Sequence, residues 1–310
     1  MKLAWLTLAF VVPLALSCDG GDDDSFSAPD GPAEGDILPV VMTTQLARGD
    51  NRFAFQLLDE NSQNIPDADV TLRTAQLEGS EGELGPPQDA SYIVLELDSL
   101  ETVVEHEHAD GSIHTHSAPY GAGIYTAPLT FPEAGEWGIE FDVRYRGRDE
   151  SIPLVVTVLE ESDVPGIGDL APPTENYTAA DHELSEITSD ASPDPELYAK
   201  TVAAALDAGD AFVVAFATPA FCHSRVCAPV LEAVKEVKAE LPEAAYIHIE
   251  PFENLDDPAN LRDSPFVAEW NLPNEPWVFV VNRDGSIAAA FEGPFTVNEL
   301  EEAVRIALAS

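Results

Sequence analysis

The chain has 310 residues, 57 acidic against 14 basic, and a formal net charge of −43 at neutral pH. With no basic stripe to neutralise phosphates, this balance excludes nucleic acid as a partner and argues against electrostatic binding to anionic lipid. The excess charge reads as solubility, suited to a salty medium, rather than as recognition of a basic partner.

Lys2, next to Met1, gives a short positive start before an apolar run over residues 3–16 that is broken by Thr7 and Pro13. The run is too short to span a bilayer as a stable helix and has the form of a signal-peptide hydrophobic region. It ends in Ala15-Leu16-Ser17-Cys18, which resembles the lipobox of bacterial lipoproteins, with Ala15 where that motif usually holds Leu. The resemblance implies a signal over residues 1–18 and lipidation at Cys18. It also implies an extracytoplasmic protein, anchored to the membrane through that lipid at the cell surface or in the periplasm. Residues 19–36 are rich in Asp, Gly, Ser and Pro and have no apolar run, which predicts a disordered acidic tether. The stretch from residue 37 to residue 310 is long enough for two domains of ~100–200 residues each.

Residues 37–161 read as β throughout. Phe53, Phe55 and Leu57 alternate with polar neighbours, as do Trp137, Ile139, Phe141, Val143 and Tyr145. Period-2 patterning marks strands with one buried face. Further strands are predicted at 69–77, 92–97, 123–131 and 152–159, which together predict an antiparallel sandwich. The run Gly123-Ile-Tyr-Thr-Ala-Pro-Leu-Thr-Phe-Pro-Glu-Ala-Gly-Glu-Trp137 resembles the penultimate strands of immunoglobulin-like exported domains of the YtkA/FixH type. Within this region His106, His108, His114 and His116 surround Asp110-Gly111, a hairpin turn signal. A two-residue loop would oppose His108 to Ile113 and split the histidines between two faces. A three-residue loop over 109–111 opposes His106 to His114 and puts all four on one face, where imidazoles would suit Cu or Zn.

Residues 162–192 form a Pro-, Asp- and Thr-rich linker, and from 193 to 310 the periodicity changes. Helix is predicted at 195–206, a strand buried on both faces at 211–218, and a helix opening at Cys222. Next come a strand at 246–251, a short helix at 264–270 and a hairpin of 277–282 with 286–291 around Asp284-Gly285. A last helix starts at Thr296, with Glu299 completing a capping box and Leu300, Val304 and Leu308 inward.

If Cys18 carries lipid, Cys222 and Cys227 are the only remaining thiols, five positions apart. Outside the cytoplasm such a pair persists as a disulfide. One closing so short a loop constrains the unfolded chain little, so reactivity is a better reason for the pair than stability. The pair comes after a buried strand, in Phe216-Ala-Thr-Pro-Ala-Phe-Cys222-His-Ser-Arg-Val-Cys227-Ala-Pro229, with Pro229 inside the predicted helix. Glu275-Pro276-Trp277 immediately precedes the hairpin. These features and the element order resemble the thioredoxin family, giving an α/β thioredoxin-like domain behind the all-β immunoglobulin-like sandwich. The resemblance implies Cys222 as attacking thiolate, Cys227 as resolving thiol, and Pro276 as a cis-proline facing them. A thiol at a helix N-terminus is favoured as thiolate, and His223 and Arg225 would add positive charge.

The spacing departs from the Cys-x-x-Cys of that family. Closing a bond across five positions requires Cys222 to lie before the first helical turn, or that turn to unwind. The same spacing is similar to that of bacterioferritin-comigratory peroxiredoxins, which would make the protein a thiol peroxidase, although Thr218-Pro219-Ala220-Phe221-Cys222 holds one residue too many for that motif. A copper chaperone of the Sco type would need a tighter pair and a remote His ligand such as His248. The expected function is thiol–disulfide exchange with exported protein thiols and disulfides, requiring no cofactor. The rival is a Cu- or Zn-binding or delivery lipoprotein.

Overall fold

A computed structural model describes residues 24–29, 36–66, 68–93, 123–222 and 226–310, and the backbone of the strands Val103–Glu107 and Ile113–Ser117. Cys18, the signal region, His108, His223 and Arg225 lie outside the described residues. Among the described residues no helix is long and apolar enough to cross a membrane.

The N-terminal region holds two sheets with a shared core. One orders the strands Ile37–Val41, Gly49–Asp59, Ile124–Phe131 and Ser91–Ile93. The other orders Leu46–Ala47, Arg148–Leu159, Gly135–Tyr145, Asp69–Gln76 and Gln88–Asp89. The alternating aromatics supply the filling: Phe55 packs edge-on against Phe141 at 5.1 Å and stacks on Tyr125 at 5.4 Å. Tyr125 stays buried because its hydroxyl donates to the Ile65 carbonyl at 2.7 Å. Pairing is antiparallel except where Leu46–Ala47 runs parallel to Arg148–Leu159.

The expected tether is partly ordered. Ser25–Ser27 pairs with Glu81–Glu83, and Phe26 is buried with Ala75 and Leu84. A single aromatic suffices here because Gly138 leaves the room: a Cβ there would sit 2.4 Å from the Phe26 ring.

The C-terminal region is built on one four-stranded sheet, ordered Ala245–Ile249, Phe212–Phe216, Trp277–Val281, Ile287–Glu292. The first pair is parallel and the other two antiparallel. Every residue of Phe212–Phe216 is buried, because alternate side chains enter two different cores. Val213 and Ala215 face the helices Cys227–Glu240 and Val297–Ala309 through Val230, Val234, Leu300 and Val304. Phe212, Val214 and Phe216 face Trp270, Phe266 and the helix Val202–Ala208 on the other side. The linker packs beneath this second face, with Thr174 accepting from Trp270 Nε1 at 2.8 Å.

Two helix boundaries differ from expectation. The predicted 195–206 helix is a 3-10 turn, Pro195–Tyr198, and then a separate helix, Val202–Ala208. Thr201 breaks the run by capping the second piece, accepting from Ala204 N at 3.0 Å. The second difference concerns the cysteines directly: the helix opens at Cys227, not at Cys222. Pro229 explains this. A proline is tolerated in the first turn, whose N–H groups have no intrahelical partner, but deeper in a helix it removes a bond and clashes with the preceding turn. Starting at Cys227 makes Pro229 the third residue, so it lies in the first turn and marks the helix start.

Candidate functional site

The site lies where the buried central strand ends and the Cys227–Glu240 helix begins. After Phe216 the chain passes through Ala217 and Thr218, both fully buried, and turns so that Cys222 N–H donates to the Thr218 carbonyl at 3.2 Å. Cys222 is half-buried in this loop, while Cys227 is completely buried as the first helical residue. No disulfide joins them. With Cys222 ahead of the first turn, the two sulfurs approach without any unwinding of the helix.

The peptide Glu275–Pro276 is cis and immediately precedes the Trp277–Val281 strand. Pro276 is buried, and its carbonyl accepts from Gly293 N at 2.9 Å. Glu275 brings its carboxylate to the cysteines: its ligating oxygen and the two sulfurs all lie within 4.8 Å of one another. The sulfurs are electrostatically unequal. The hydrogen bond between the Cys227 thiol and the Cys222 sulfur pushes the Cys227 thiol well above its ordinary range, and burial and the Cys222 and Glu275 charges push it further. A proton therefore stays on Cys227, and the half-buried Cys222 is the more accessible of the two sulfurs.

A second acid is linked through Ser189 to the loop before Cys222. Glu250 comes directly after the Ala245–Ile249 strand and is only 5% exposed. Its Oε2 accepts from Ser189 N at 2.8 Å and from Ser189 Oγ at 2.7 Å. Ser189 Oγ in turn accepts from Ala220 N at 3.2 Å, which ties this acid to the loop before Cys222. Burial raises the Glu250 carboxyl to about 7, against hydrogen bonds from Thr218 and Ser189 that favour the charged form.

His248 is not placed as a metal ligand. It is buried with Nδ1 against the Tyr198 hydroxyl at 2.7 Å and Nε2 against the Ala217 carbonyl at 2.8 Å, so both ring nitrogens are occupied by protein. Burial pushes its pKa down to about 4. The histidine hairpin lies apart from these residues in the chain. Its backbone register opposes His114 to His106 and His116 to Val104, the pairing that a three-residue loop requires. Cys222, Cys227 and the Pro276 peptide thus come together, whereas Glu275 and Glu250 do not stand out in the sequence. The only local signals for them are a charged residue before Pro276 and an acid closing an apolar strand.

No protein-family model matches this chain, and no curated protein matches it.

Proposed function

We propose that this protein is a thiol–disulfide oxidoreductase with a thioredoxin-like C-terminal domain, carried with an immunoglobulin-like sandwich outside the cytoplasm by lipid on Cys18. The observation that carries the reading is the junction itself, with a half-exposed Cys222 before the helix and a buried, proton-holding Cys227 at its first position. The sheet order, with one parallel pair leading into an antiparallel hairpin and helices on both faces, supports the fold assignment.

The chemistry comes from that inequality. The Cys222 thiolate attacks one sulfur of a partner disulfide, the partner S–S bond breaks, and a mixed disulfide forms as one partner thiolate leaves. Cys227 then gives up its proton and attacks the Cys222 sulfur. The Cys222–Cys227 bond forms and the second partner thiol departs. Two electrons have passed from the cysteine pair to the partner, and the reverse sequence oxidises a partner dithiol. Reduction of insulin disulfides by the pre-reduced protein tests this reading. Cys222→Ser should abolish turnover, and Cys227→Ser should accumulate a covalent mixed disulfide. Unchanged reduction by Cys222→Ser would overturn the proposal.

A further inference from the structure

We propose that Cys222, Cys227 and Glu275 also form a binding site for a zinc-class divalent cation when both cysteines are reduced. The case starts from the convergence of three ligand atoms of the right kind. Zinc bonds thiolate sulfur at about 2.3 Å and carboxylate oxygen at about 2.0–2.2 Å, so two ligands on one tetrahedral ion sit roughly 3.6–3.8 Å apart. The two sulfurs and the Glu275 oxygen already lie within 4.8 Å of one another. Small side-chain adjustments therefore close the coordination sphere, with no rearrangement of the strand or helix.

The donor set selects the metal. Two sulfurs rule against calcium and magnesium, which take oxygen ligands, and the hard carboxylate favours zinc over a cuprous ion, which prefers sulfur alone. Three protein ligands leave one position of a tetrahedral ion for water or a further ligand, and two of the three, Cys222 and Glu275, are half-buried rather than sealed from solvent.

Binding balances simply. The ion takes two thiolates and one carboxylate, and the two thiol protons go to solvent. Formation of the Cys222–Cys227 disulfide removes both sulfur ligands, so metal and disulfide are alternative states of one pair. The metal site stands on these three side chains and does not depend on the exchange reaction.

Anaerobic titration of the reduced, full-length protein with Co²⁺, and then displacement with Zn²⁺, tests the site. The expected result is one equivalent of cobalt giving a sulfur-to-cobalt charge-transfer band that Zn²⁺ removes. Cys222→Ser, with its fold checked by circular dichroism, should bind cobalt at least tenfold more weakly and with a diminished band. Glu275→Gln should keep the band and weaken affinity at least tenfold. The proposal is overturned if the wild-type protein gives no sulfur band, or if Cys222→Ser binds as tightly as the wild type, which would place the ion elsewhere, such as the histidine hairpin. It is also overturned if Glu275→Gln leaves affinity within twofold.

Discussion

Glu250 shows how a single residue can make the stability of this protein depend on pH. Its carboxyl ordinarily titrates at 4.5, and in the folded protein burial raises that to about 7. Between those values the folded chain binds more protons than the unfolded one, so this group's contribution to stability falls as pH rises through the window and is flat above it. The full swing is of the order of 3 kcal/mol. His248 acts in the opposite sense. Its pKa drops from 6.5 to about 4, so the folded chain binds fewer protons there and stability rises with pH over that range. The two slopes oppose each other between 4.5 and 6.5, which would hide either one in the wild-type profile alone. The informative measurement is therefore a difference: urea unfolding of Glu250→Gln and wild type at several pH values from 4 to 8. The variant should gain on the wild type steadily as pH rises. A constant gap would mean that Glu250 is not held as a neutral acid.

At the scale of elements, the Val297–Ala309 helix has the clearest local cause. Thr296 Oγ1 accepts from Glu299 N at 3.1 Å while Glu299 Oε2 accepts from Thr296 N at 2.8 Å. Thr296→Ala should cost about 1 kcal/mol, read as a lower urea midpoint with an unchanged slope. This reciprocal cap was legible in the sequence, as were the period-2 strands around Phe55 and Phe141 and the turn at Asp284-Gly285. The start of the Cys227–Glu240 helix was not legible, for a physical reason. Its N-cap is Val226, which offers no side-chain acceptor, so the usual signal is missing and only Pro229 marks the boundary. Phe26 gives no local sign of burial because its pocket depends on Gly138, more than a hundred residues away. The same holds for the site. The cysteines announce themselves by type and spacing, but Glu275 reaches them, and Glu250 reaches the loop before Cys222 through Ser189, only through sheet pairing across the Phe212–Phe216 strand, which no local pattern encodes.

At the scale of the whole molecule, the sandwich is tied to residues that flank the Glu275–Pro276 peptide and the last strand. Thr44 N–H donates to both oxygens of Glu292 at 2.9 Å, and Asn274 Nδ2 donates to the same carboxylate at 2.9 Å. Asn274 also accepts from Trp277 Nε1 at 2.8 Å, so it braces both sides of the Glu275–Pro276 peptide. Arg52 of the sandwich adds a second tie, reaching Glu299 at 3.1 Å and the Pro294 carbonyl at 3.1 Å. Glu299 is thus both a helix cap and a junction residue. The linker completes the joint by pairing along the Ile287–Glu292 edge, where Asp169 O accepts from Ile287 N at 2.8 Å. Glu292 is the point on which these contacts converge, and it is buried, which pushes its carboxyl upward. Truncating it leaves the Thr44 and Asn274 donors without their acceptor, at a cost of the order of 2–3 kcal/mol. Glu292→Ala should therefore lower stability by that amount, and Glu292→Gln, which keeps one acceptor, by less. If the sandwich also holds the Glu275–Pro276 loop over the cysteines, Glu292→Ala should speed alkylation of Cys222 by a small thiol reagent under native conditions. A loss of stability with an unchanged alkylation rate would mean that the junction fastens the two regions together without shaping the thiol site.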